Sequence, residues 1–79
     1  MLQILERFEK AIECYEKALE IDPNDTDALS FKGFNLENLE YYDEAMECYE
    51  KALNIDPDHP YAVIRKRIVL GKLEYKERP

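Results

Sequence analysis

The sequence predicts an all-α fold of about four helices, arranged as antiparallel helix-turn-helix pairs stacked into a short α-solenoid. Two observations carry that expectation. The run from Phe8 to Pro23 recurs from Tyr42 to Pro57 at a constant offset of 34 residues, with 11 of 16 positions identical and no gap. In each copy the apolar residues fall at 8, 11, 12, 15, 18 and 19, and again at 42, 45, 46, 49, 52 and 53. That three-and-four spacing lines one face of an α-helix.

The elements follow in order. The first copy makes the first helix, which Asp22-Pro23 ends, because proline lacks an amide donor and disfavours helical geometry in the residue before it. Asn24-Asp25-Thr26-Asp27 offers N-cap side chains to a second helix, Ala28 to Leu39, with Leu29, Gly33, Leu36 and Leu39 on one side. A break at Glu40-Tyr41 is too short for anything but an antiparallel neighbour, and the second copy makes that neighbour up to Asp56-Pro57. Asp58 or His59 then caps a fourth helix from about Pro60 to Tyr75, with Ala62, Val63, Leu70 and Leu73 on its packed side. Alanines 11, 18, 45 and 52 and Gly33 mark places where helix axes must approach closely, with Tyr15 and Tyr49 as the knobs between them. Glu6 and Lys10, Glu13 and Lys17, and Glu47 and Lys51 stand four residues apart as expected intrahelical ion pairs.

Composition narrows the function. With 79 residues the chain makes one small domain, 46% hydrophobic and 37% charged. Only about 60% of the unfolded surface is buried at this size, which leaves little room for a preorganised catalytic cavity. No apolar run reaches a membrane-spanning length, and the start lacks the basic and apolar regions of a signal peptide, so a soluble cytoplasmic chain is expected. Residues 1–59 carry a net charge of −11 and residues 60–79 a net +4. The acidic body disfavours nucleic acid, while Arg65-Lys66-Arg67 offers a basic segment to an acidic partner or to a second copy.

At these positions the sequence resembles a tetratricopeptide repeat. Residues 26–59 match a whole 34-residue unit through Leu29, Gly33, Leu36, Tyr42, Ala45, Tyr49, Ala52 and Pro57, with Lys32 departing from the usual Leu. Residues 6–25 match the second half of a preceding unit, and Met1 to Leu5 the tail of that unit's first helix, so that 1–25 form one segment. Residues 60–79 resemble the first helix of a following unit, or a capping helix, with Arg67 at the small-residue position. The resemblance implies a right-handed superhelix that binds peptides or partner proteins, with no catalysis, cofactor or metal.

It also implies a binding face. At about 100° per residue, Phe31 and Phe34 point away from the Leu29, Gly33 and Leu36 side. With Asp27, Ser30 and Asn38 they lie on the side that lines the concave groove in this family. The corresponding stripe on the last helix is Tyr61, Ile64, Arg65, Ile68 and Lys72. The partner-binding expectation is therefore an apolar groove of Phe31, Phe34, Tyr61, Ile64 and Ile68, with Arg65 and Lys72 accepting acidic groups and Asp27 and Asn38 at its polar edges. In the competing arrangement the N-terminal helix or its extension lies across these aromatics. The carboxylate clamp of chaperone-binding members is not matched, since Phe31 and Phe34 replace its polar positions and only Arg65 fits.

An alternative function is self-association, with the unpaired faces of the end helices buried against another copy and the basic last helix docked on an acidic first one. His59 reads as a turn or cap residue. Asp43, Glu44, Asp56 and Asp58 read as helix-terminal acids. Cys14 and Cys48 occupy equivalent positions on helices too far apart for a disulfide and are expected as reduced, partly buried thiols.

Overall fold

The computed structural model describes residues 2–77, and side chains from residue 4 to residue 74. Four helices follow one another: α1 (Leu2–Ile21), α2 (Thr26–Asn38), α3 (Tyr42–Ile55) and α4 (Pro60–Glu77). Each packs against its sequence neighbours, and α2 also touches α4. No Cα of α1 comes within 8 Å of one in α3 among the described residues. The architecture is the all-α helical repeat expected.

Repetition extends from sequence to hydrogen bonds. At the first turn, the Asn24 amide donates to Asp22 Oδ1 (3.0 Å); at the second, the Asp58 amide donates to Asp56 Oδ1 (3.2 Å). Asp25 caps α2 by accepting the Ala28 amide on Oδ1 (3.0 Å). Its counterpart His59 caps α4 by accepting the Ala62 amide on Nδ1 (3.2 Å), with Pro60 as the first helical residue. Because Nδ1 accepts, Nε2 carries the proton, and it donates to Asp27 Oδ1 at 3.0 Å. His59 is thus the cap residue expected.

Lys32, the departure from the usual Leu, pairs with Glu16 of α1 at 3.3 Å, and its counterpart Lys66 reaches Glu50 of α3 at 4.0 Å. The two interfaces are one interface used twice. The expected pairs Glu6 with Lys10, Glu13 with Lys17 and Glu47 with Lys51 do not close to ion-pair distance, because holding two long exposed side chains together gains little in water.

The turn between α2 and α3 is a Schellman arrangement. The Tyr41 amide donates to the Leu36 carbonyl and the Glu40 amide to that of Glu37, each at 2.9 Å. Glu40 takes the left-handed conformation this demands (φ 65°), which ordinarily favours glycine. Its counterpart Glu6 stays helical. Leu2 to Leu5 therefore continue α1 and are not the tail of a separate helix, since nothing from 2 to 7 breaks a helix and the left-handed residue is costly.

Leu29, Leu36, Ala45, Cys48, Tyr49, Ala52, Ala62 and Val69 form the core, with Ile12, Leu19, Tyr42, Met46, Leu53 and Leu73 packed around it. One expectation for α4 fails. Leu70 is 43% exposed, whereas its counterpart Leu36 is 5% exposed, and Val69 is buried instead. Among the described elements α4 packs on α3, with Ala62, Val69 and Leu73 in or against the core, and no further helix packs on the side of α4 that holds Leu70, the counterpart of the side α2 turns to α3. The cysteines divide as well, Cys48 buried and Cys14 exposed. Burial holds the Cys48 thiol above its usual pKa and so un-ionised.

The α2–α3 contact is close at one point. A Cβ built on Gly33 would lie 2.7 Å from Tyr49 Cε1 and 2.9 Å from its Cζ, whereas one on Gly71 meets nothing within 4 Å. Ala at a helical Gly ordinarily gains about 1 kcal/mol. At position 71 that gain should appear in full, raising the thermal midpoint by several degrees. At position 33 the fixed ring should reverse it, so Gly33→Ala destabilises by ~1–3 kcal/mol in denaturant unfolding.

Candidate functional site

Tyr49 is fixed at its other end by a buried acid. Its hydroxyl donates to Glu37 Oε1 at 2.7 Å, and the Glu37 residue is only 3% exposed. Arg65 of α4 closes the same carboxylate from the side, with Nε donating to Oε1 at 3.0 Å and a terminal guanidinium N–H donating to Oε2. Lys72, two turns further along α4, reaches Oε2 at 3.3 Å. One carboxylate on α2 thereby joins α3 and both cations of the α4 stripe. Burial by itself would raise the Glu37 pKa, but the bonds from Arg65, Tyr49 and Lys72 outweigh it and hold the group below its ordinary value. Burial, reinforced by Glu37, pushes the Tyr49 phenol the other way, far above its usual range.

Beside this cluster runs a row of rings. Tyr15 of α1 meets Phe31 at 5.9 Å between centroids, Phe31 meets Tyr61 of α4 edge-on at 5.4 Å, and Tyr61 meets Phe34 at 6.3 Å. The Arg65 guanidinium lies 5.0 Å from the Phe34 ring centre, held there by Glu37. Phe31 remains 40% exposed, so α1 borders the row at Tyr15 without covering it. Ile64 and Ile68 continue the apolar surface along α4, both exposed.

The expected partner-binding residues thus fall into three groups. Phe31, Phe34, Tyr61 and Arg65 are brought together. Ile64, Ile68 and Asn38 are exposed nearby on the same stripes of α4 and α2. Asp27, Arg65 and Lys72 already have internal partners, Asp27 in His59 and the two cations in Glu37. Ser30, expected on the groove side, is instead fully buried, and its Oγ has no hydrogen-bond partner. Its neighbour one turn away is Gly33, on which the Tyr49 ring packs, so this stretch of α2 is covered and not beside open space.

Glu37 is the residue that reading by pattern misses. It sits one turn beyond Gly33, at the margin of the packed side, where an acid reads as surface. The available signal was the tyrosine knob: a buried hydroxyl requires an acceptor, and Glu37 is the polar residue one turn from the glycine beneath the ring. Among the described residues no cluster of three or more His, Cys, Asp or Glu could hold a metal, and no helix is long and apolar enough to cross a membrane.

Two measurements test the cluster. Because the folded-state pKa of Glu37 lies below the unfolded one, its stabilisation is present above the ordinary carboxylate value of 4.5 and is lost as pH falls through the folded value. Melting curves should therefore fall more steeply below that pH for the natural protein than for Glu37→Gln. Removing Arg65 as Arg65→Met leaves a buried charge under-compensated and should cost ~2–4 kcal/mol, with Glu37→Leu/Arg65→Met costing less than either single change.

No individual curated protein matches the chain. The tetratricopeptide repeat family does, in two consecutive matches over residues 1–25 and 26–59. The second match spans the whole α2–α3 hairpin with its Gly33–Tyr49 contact. Repeats of this kind generally mediate protein–protein interactions and are generally non-catalytic. Its 34-residue repetition, helix pairing and two family matches place the chain in the tetratricopeptide repeat family.

Proposed function

We propose that the chain is an interaction module that holds a peptide or a partner protein's surface helix in the groove between α2 and α4. The observation that carries this reading is the row of rings from Tyr15 through Phe31 and Tyr61 to Phe34, half-buried except at the exposed Phe31 and prolonged by the exposed Ile64 and Ile68. Aromatic and aliphatic side chains already held by neighbours lose little entropy when a partner covers them. Asp27 and Asn38 bound the stripe on α2, and Lys72 ends it on α4. Partner capture from the native extract should drop about tenfold for Phe31→Ala, and for Phe34→Ala, with circular dichroism showing the fold retained. Unchanged capture by both variants refutes the groove.

A second reading is association between copies through the outer sides of α1 and α4. It is favoured by the exposure of Ile4, Leu5 and Leu70 on helices of opposite charge. Arg67→Glu should then weaken self-association in sedimentation about tenfold while leaving partner capture intact. A natural protein that stays monomeric at high concentration rules this reading out.

A further inference from the structure

The charges along the groove differ at its two ends. At the end where α2 and α4 begin, Asp27 keeps a largely exposed side chain although it accepts from His59. At the other end, Glu37 is the one carboxylate among the described residues within ion-pair distance of Arg65 or Lys72, so a single negative charge faces two positive ones. Arg65 spends its fork on Glu37 and its face on Phe34, and little of it is exposed. Lys72 has one contact to Glu37 and one to the Tyr42 ring at 5.6 Å, with 44% of its side chain open to solvent. The surplus positive charge is therefore presented at Lys72. Asp27 and Asn38 are 11 residues apart on one helical stripe, about 17 Å along the axis, which is roughly three turns of a bound helix.

Resting on the groove reading above, we propose that the occupant is an amphipathic segment with an acidic side chain at the end lying over Lys72. Its apolar face covers Phe31, Tyr61, Ile64 and Ile68. The carboxylate completes the charge balance of the Glu37 cluster, and an acid at the opposite end would face Asp27. A single ammonium with a free donor suits a side-chain carboxylate that reaches down from a helix. A chain terminus would need several convergent donors, whereas Arg65 has turned its Nε and one terminal N–H to Glu37 and is mostly covered, which leaves Lys72 as the open donor.

The test uses two fluorescein-labelled, C-terminally amidated 12-residue peptides. Both carry leucine and phenylalanine at helical three-and-four spacing, and they differ only in ending with two glutamates or two glutamines. In anisotropy titrations at low salt, the glutamate peptide should bind the natural protein about fivefold more tightly. Lys72→Gln should abolish that preference, Lys72→Arg should retain it, and Phe31→Ala should weaken both peptides alike. Equal binding of the two peptides to the natural protein, or a preference that survives Lys72→Gln, overturns the proposal while leaving the groove standing. Binding of neither peptide sinks the groove and the proposal together.

Discussion

The fold turns on how Tyr49 is held. Its ring presses on the backbone of α2 at Gly33, closer than any Cβ would allow, and its hydroxyl ends on Glu37 one turn away. Ring and hydroxyl together set both the separation of α2 from α3 and their register along the axis. The remaining arrangement follows from that pair: α4 is located against it by Arg65 and Lys72 on the same carboxylate, and by His59 linking the starts of α2 and α4.

A buried acid is an expensive way to join three helices, since desolvating a carboxylate costs several kcal/mol before any partner is counted. Full satisfaction of both oxygens by a phenol, a guanidinium and an ammonium makes it tolerable. The arrangement also gives specificity that apolar packing would not. Each donor comes from a fixed position, so a slip of α4 by one turn would leave a buried charge with poorly matched partners. The same bonds reach the ring row, because the guanidinium that Glu37 holds is the one resting on Phe34.

Much of this was legible in the residues alone. The 34-residue repetition, the spacing of apolar positions and the Asp-Pro stops give helix number, order and approximate ends. Gly33 and Tyr49 could be paired as notch and knob. What escaped has physical reasons. Glu37 bonds residues 12, 28 and 35 positions away, so no local pattern reports them, and its charge argues for the surface. Leu70 was expected inside because Leu36 is, but the two helices have different neighbours although their sequences correspond. Ser30 lies toward the groove side by angle, yet it is fully buried, because three helices pack on α2 and leave less of its surface open than one helix face suggests. Continuity of α1 through Leu2 to Leu5 depended on a turn that its counterpart needs and it does not.

The separation of α1 from α3 bears on mechanics. A cleft lined by Leu19, Leu29, Lys32, Cys48 and Lys51 separates α1 from the equivalent helix α3, so among the described elements α1 is held through α2 alone. Closing that cleft would swing α1 about its contact with α2 and so change the spacing of Tyr15 from Phe31, its ring partner across that seam.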